Sequence, residues 1–291
     1  ELIQWAGSNV TLGGALALNF ALDITQLNGT TGNYVILTRT YADGTTDTVE
    51  VPQSDWVSAS GNYMKVTYHN LAAKEMGDLI SAVVYNADDQ VISETHTDSI
   101  ATYCMRMLGK VNDAQKTLFV DMLNYGAAAQ AFFVYDAENL VNADLTEEQA
   151  GFASEAVEIA DHRQSSGCYY GSNLQLVDKI YLQLVFKAAY SEDMYAVASF
   201  TDHYGHVTEQ KLTVTKNGSY VIVRVEGMAI ADYRALVTCK LYSADGTELG
   251  CVIDSMESYA ARMADELKRN GADLGDAIMK LGASSYAYFH N

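Results

Sequence analysis

The 291 residues, 49% hydrophobic and 19% charged, suffice for two domains that each bury a core, and the balance is globular, not disordered. No apolar run reaches the ~18 residues of a membrane span, and the start at Glu1, with no signal peptide, reads as a segment of a longer polypeptide. A formal charge of −19, with 18 Lys and Arg in no cluster, sets the chain against nucleic acid and anionic membrane, leaving neutral ligands, cations and basic partners.

In chain order, alternating β-rich segments come first: residues 10–12, 15–22, 33–41, 46–51, 62–69, 79–86 and 91–94, with turns at Ala42-Asp43-Gly44-Thr45 and near Asp88-Asp89. Period-two patterning with close Gly and Asp turns predicts a small antiparallel β-sandwich, Ig-like in plan. Two helices follow. Asp98 reads as the N-cap of the first, which carries Ile100, Tyr103 and Met107 on one face; the second starts near Asn112-Asp113 and carries Leu118, Met122, Tyr125, Ala129 and Phe132 on one stripe. Residues 138–165 form a connector in which Asp144 or Thr146 caps a short helix; without proline and with few glycines, it is expected to be ordered.

The second part then repeats the first. Ser8-Asn9 returns as Ser172-Asn173 at an offset of 164, Tyr85-Asn86-Ala87-Asp88 as Tyr242-Ser243-Ala244-Asp245 at 157, and Asp98-Ser99 with Tyr103, Arg106 and Met107 as Asp254-Ser255 with Tyr259, Arg262 and Met263 at 156. The expected organisation is α+β: two tandem homologous modules, 1–137 and 166–291, each an antiparallel sandwich followed by two helices packed on it, joined by the connector 138–165. Asp254 reads as the N-cap in the second copy. Its second helix carries Leu274, Ile278, Leu281, Ser285 and Tyr288, and Gly126 and Gly282 share one mid-helix place, where Gly costs about 1 kcal/mol against Ala and implies close backbone contact.

Catalytic signals are sparse. No GxSxG, HExxH, Walker loop or GxGxxG is present. His203 and His206 lie around a turn that does not aim both rings at one point, and His96 reads as a solvated histidine at the start of a helix. Of 37 acids, none is singled out by an apolar setting that would raise its pKa, so no glycosidase pair stands out. Asp43, Asp47 and Asp88-Asp89 fit turn geometry; calcium has a place there, although DxDxDG is absent, and no cofactor or catalytic residue is assigned. Cys239 and Cys251 flank the Ser243–Thr247 turn; if Ser243 pairs with Thr247, counting back sets them opposite one another, which fits either a cross-strand disulfide or two free thiols.

Aromatics are the stronger lead, with 20 Tyr and 2 Trp. Trp56 follows the only proline, in a stretch where the offset falls from 164 to 157, so the second copy is expected to lack seven residues there. Trp5 matches Tyr169, with Tyr170 beside it. Flat rings on a rigid sandwich suit pyranose stacking, and the expected order of importance is Trp56, then Trp5, Tyr63, Tyr169 and Tyr170. The alternative is that Trp56 and Trp5 fold back as lids over the ends of the sandwich.

The strings Leu71-Ala72-Ala73-Lys74-Glu75-Met76-Gly77-Asp78 and Leu118-Phe119-Val120-Asp121-Met122-Leu123-Asn124-Tyr125-Gly126-Ala127-Ala128-Ala129-Gln130 resemble a module of very large secreted proteins of anaerobic gut clostridia and ruminococci, which often bear dockerins and sugar-binding modules. The resemblance spans the first copy; in the second, Met228-Ala229-Ile230-Ala231-Asp232-Tyr233 and Met279-Lys280-Leu281-Gly282 keep only the frame. It implies an extracellular, cell-surface setting, capture of plant polysaccharide with starch or another α-glucan foremost, a scaffold protein reached through modules outside this segment, and no catalytic motif. The resulting expectation is a non-catalytic carbohydrate-binding protein. Its rival is a structural spacer or adhesin repeat with a protein partner, which predicts Trp56 packed inward and no aromatic platform. A hydrolase, the third reading, needs two acids in a cleft between the modules.

Overall fold

The computed structural model describes residues 2–11, 15–177 and 179–290; the predicted strand residues Leu12 and the rest of 12–14 lie outside the described residues. The first copy contains β1 (Trp5–Thr11), β2 (Ala17–Asp23), β3 (Tyr34–Thr40), β4 (Thr46–Pro52), β5 (Val57–Ser58), β6 (Tyr63–Tyr68), β7 (Leu79–Tyr85) and β8 (His96–Asp98). Burial alternates residue by residue along β3 and β7, as it must in a strand with one face on a core. Antiparallel pairing gives two sheets, β1-β2-β6-β5 and β4-β3-β7-β8. That is the A-B-E-D and C′-C-F-G order of an immunoglobulin-like sandwich. Leu18, Phe20, Leu22 and Val66 of one sheet meet Val35, Leu37, Ile80, Ala82 and Val84 of the other in its core.

Two helices close the copy, α1 (Ile100–Met107) and α2 (Asp113–Phe133), and the connector holds α3 (Glu147–Ala150), capped by Thr146. The second copy runs β9 (Gln164–Gly167), β10 (Tyr169–Leu176), β11 (Ile180–Phe186), β12 (Tyr195–Thr201), β13 (Val207–Thr213), β14 (Thr215–Asn217), β15 (Tyr220–Arg224), β16 (Val237–Tyr242), β17 (Glu248–Asp254), α4 (Met256–Arg262), the short strands β18 (Lys268–Arg269) and β19 (Ala272–Asp273), and α5 (Leu274–His290). Its sheets are β10-β11-β15-β14 and β13-β12-β16-β17-β9. The fold is therefore α+β, two tandem β-sandwich modules each followed by helices. Strand β9 adds a fifth strand on β17; the first copy covers that edge with a parallel bridge, Ile3 to Ser93.

Several sequence expectations change. The seven missing residues are split. Tyr34 to Thr40 match Tyr195 to Thr201 at an offset of 161, so three are lost between β2 and β3 and four between β4 and β6. The helix caps are Ser99 and Ser255, whose side chains accept from Thr102 N–H and Ser258 N–H. Asp98 and Asp254 instead turn inward to Arg106 and Arg262, at 2.7 Å each, and accept from Ser8 and Ser172. Cys239 faces Val252, not Cys251, because a bulge at Leu249 lets Leu241 pair with Gly250 and Tyr242 with Glu248. The slip of one residue sends the two cysteines to opposite faces. They are free thiols, and burial pushes Cys239 up to about 12.

Helix α2 is buried around most of its circumference, with Leu118, Val120, Met122, Leu123, Tyr125, Ala127 and Ala129 all inaccessible. One side rests on its own sandwich, the other on α5. The two helices run antiparallel: Leu118, Met122 and Tyr125 line a cavity with Leu281 and Ser285, while at the other end the Asn270 amide donates to Ala131 O, 3.2 Å, in the last turn of α2. Asn270 and Gly271, with φ of 51° and 79°, make the tight turn between β18 and β19 that reaches there. The implied close approach at Gly126 and Gly282 is to a 3-10 turn before β7 or β16, since an added Cβ would lie 2.8 Å from Met76 Sδ or 2.6 Å from Tyr233 Cγ.

The connector is pinned along its length. Gln130 donates to Asn139 O and accepts from Val141 N–H, Ser154 donates twice to buried Asp121, and His162 N–H donates to Ser258 Oγ while Arg262 reaches Asp161. No helix among the described residues is long and apolar enough to cross a membrane.

Candidate binding surfaces

Trp56, placed first among ring donors, is only 5% exposed. Its indole N–H donates to Val51 O at 3.1 Å, and the ring joins the sandwich core. This corrects the expectation of an exposed platform there: four residues that the second copy lacks let the loop fold back and supply a core side chain. Trp5 is half-buried, donates to Glu94 O at 2.9 Å, and sets its ring edge-on to Phe20, 5.9 Å between centroids. Its counterpart Tyr169 does the same against Phe186 at 5.7 Å, and burial pushes its phenol pKa up. These two side chains plug the ends of the sandwiches.

Tyr63 (40% exposed) and Tyr170 (62%) do reach solvent. Tyr63 stands alone. Tyr170 sits at the register shift between Tyr169 and Gly171 of β10, and its ring leans over β11 to within 4.7 Å of Tyr220, the counterpart of Tyr63, at a 47° tilt. The Tyr220 hydroxyl donates to that of Tyr170, which raises the Tyr220 pKa. The sites named from the sequence are thus scattered over two modules, and only Tyr169 and Tyr170 are neighbours.

Two further aromatic pairs escaped sequence reasoning. Tyr34 stacks on Tyr85 (5.3 Å, 8°) and Tyr195 on Tyr242 (5.1 Å, 16°), on the outer faces of equivalent sheets. Counting register across β3 and β7 would have found them, since Tyr34 pairs with Tyr85. One face of each ring is spent on its partner, and Lys211 lies over the Tyr195 ring at 4.1 Å. The Tyr34 hydroxyl donates to Asp89 at 2.7 Å, which pushes its pKa up to about 12.

His96 and His203 occupy structural positions. His96 is not solvated: its Nε2 is buried without a partner, its ring meets Phe20 edge-on at 5.8 Å, and burial lowers its pKa. The side chain of His203 is buried and donates from Nδ1 to Asp232 at 2.6 Å, whereas His206 is exposed and faces Asp202 at 3.3 Å. The two rings therefore serve different carboxylates. Among the described residues, no group of three or more His, Cys, Asp and Glu side chains could hold a metal ion.

No family model matches the chain, and no curated protein matches it. Among solved structures it is similar to a tetra-tandem repeat in the extending region of a large adhesion protein, at 9% identity and a TM-score of 0.21, over 88% of this chain and 49% of that one. This chain thus spans about half the length of that repeat structure. It is also similar to a two-domain fibronectin type III segment of chicken tenascin, at 8% identity and a TM-score of 0.21, over 86% of this chain and 99% of that one. The fold assignment rests on the strand order given above, not on these likenesses.

Proposed function

We propose that the chain is a non-catalytic tandem repeat of a surface protein, acting as a rigid spacer or adhesin unit with a protein partner. The observation that carries this reading is the antiparallel packing of α2 on α5, clamped by Asn270 and by the pinned connector, which makes two sandwiches one body. Trp56, turned inward, supports the same side of the choice. A net charge of −19 suits a partner with a basic face. Surface placement and a scaffold reached through modules elsewhere belong to this reading. Neutral α-glucan capture loses its leading residue with Trp56.

Calorimetry of the whole chain tests it, together with native gels cast with amylopectin, xylan, β-glucan or mannan. One cooperative transition and free migration through all four gels are expected. Two resolved transitions would overturn the rigid pair, and retardation by amylopectin would return the function to starch capture.

A further inference from the structure

We propose that the second copy carries a binding site for a uronate-bearing polysaccharide at the Tyr170–Tyr220 end of its β10-β11-β15-β14 sheet. The adhesin reading does not require this site, and the site does not depend on the modules being rigid.

Three observations converge. The first is the ring pair: Tyr170 is the most exposed of the aromatics named as candidates, and the 47° tilt leaves its face partly open instead of spent on Tyr220. The second is an adjoining open cleft of about 430 Å³, lined by Lys187, Tyr190, Lys216 and Ser219, a size suited to small polar ligands. Lys187 N–H donates to Cys168 O, which fixes that lysine beside the start of β10. The third is charge. Neither Lys187 nor Lys216 has an ion-pair partner among the described residues, no carboxylate lines the cleft, and the nearest in sequence, Glu192 and Asp193, lie beyond Tyr190.

The first copy shows that this corner is not dictated by the fold. Tyr63 occupies the place of Tyr220, but Ala6 stands where Tyr170 is, and Asp23, paired with Tyr63 in register, stands where Lys187 is. The second copy has thus gained an aromatic ring and exchanged an acid for a base at one spot. Residues 166–291 hold 11 of the 18 Lys and Arg against 15 of the 37 Asp and Glu, a formal charge of −4 (11 − 15), so most of the chain's −19 lies in residues 1–165.

Ring and ammonium together define the ligand. A tyrosine face packs against the C–H face of a pyranose, and free ammonium groups choose a carboxylate over a hydroxyl. A neutral glycan would instead call for amide and carboxylate side chains around the rings. An exposed ion pair alone contributes little, so binding needs both parts and gains from repetition along a polymer.

The test is affinity electrophoresis of the whole chain in gels cast with polygalacturonate, its methyl ester, or poly-glutamate. Retardation by polygalacturonate alone is expected, weakened about fivefold or more by Tyr170→Ala and by Lys187→Glu, relieved by salt, and unchanged by Tyr63→Ala. Both first variants are at exposed positions, and a circular-dichroism melt matching the parent keeps their readout interpretable. No retardation by polygalacturonate overturns the proposal. Equal retardation by the methyl ester overturns the role of the lysines, and equal retardation by poly-glutamate overturns a glycan in favour of an acidic peptide. Undiminished retardation of Tyr170→Ala overturns the site.

Discussion

At the base of each helix pair the same three residues meet: Ser8, Asp98 and Arg106 in the first copy, Ser172, Asp254 and Arg262 in the second. At the corner where the β3–β4 or β12–β13 turn meets the 3-10 turn, the copies differ entirely. The first buries Arg39 against Asp78 (2.6 Å) and Glu75 (3.1 Å), with the Tyr135 hydroxyl donating to Asp78. Burial opposes the charge on Arg39, but the two carboxylates outweigh it and push its pKa up. In the second copy Phe200 replaces Arg39, Ala235 replaces Asp78 and Asp232 replaces Glu75. Asp232, with no arginine in the place of Arg39, accepts from His203 N–H, His203 Nδ1–H and Ala229 N–H, at 2.6 to 2.7 Å. A buried cation and one of its anions are present together in one copy and absent together from the other, as expected where neither is tolerable alone. The base is shared since it holds sheet to helix; the corner is free to change once its charges balance.

The largest effect should come from splitting the corner that holds the ion pair. Arg39→Met strands two carboxylates and should cost about 4 kcal/mol in urea denaturation. His203→Ala removes one of three donors and should cost about 1–2 kcal/mol. A smaller loss for Arg39→Met than for His203→Ala would mean that the first corner is not held by charge.

The shared base should yield the next effect, unequally. Arg262 is 15% exposed and Arg106 40%, so a stranded Arg106 can reach water. Asp254→Ala should cost about 3 kcal/mol and Asp98→Ala about 2 kcal/mol. Burial alone would raise the Asp98 pKa, but Arg106, Ser8 and the Ser99 N–H together hold it below the usual carboxylate value. Its stabilisation is therefore complete above the unfolded pKa of about 3.9 and is lost as pH falls through the lower folded value. Asp98→Asn should flatten the acid limb of stability; an unchanged limb would exclude this carboxylate as a contributor.

Strand alternation, the repeat and the two helices were legible because period and register are local. What failed were choices settled by tertiary contact. Asp98 and Ser99 are both good caps, and only the return of Arg106, two turns on, draws the aspartate away from the helix. Trp56 lies on a loop whose length differs between copies, and nothing in the string says whether the ring turns in or out. The Leu249 bulge that separates Cys239 from Cys251 lies beside a tertiary close approach, since a Cβ at Gly250 would lie 2.9 Å from Cys168 N. Of the aromatic candidates, Trp5 and Tyr169 at the starts of β1 and β10 became plugs, Tyr63 at the start of β6 stayed exposed, and Tyr170 stayed open at the bulge of β10.

Gly126 and Gly282 sharpen the comparison at the smallest scale. Both were read as close-approach positions, and both face the same 3-10 turn, but the obstacles differ. At Gly126 an added Cβ would meet Met76 Sδ at 2.8 Å, part of a long side chain that can adjust, and Val141 Cγ2 at 2.9 Å, a methyl on the connector, with the nearest backbone atom, Ala73 O, at 3.4 Å. At Gly282 it would meet Tyr233 Cγ at 2.6 Å, the root of a buried ring whose backbone is tied to Ile230 O and Glu257 N–H. Alanine gains about 1 kcal/mol of helix propensity at either site, set against about 1–3 kcal/mol for overpacking. Gly126→Ala should therefore leave stability within about 1 kcal/mol of the parent, while Gly282→Ala should lose about 2 kcal/mol, because only one neighbour can move. Equal urea midpoints for the two variants would show that the glycines are kept for something other than these contacts.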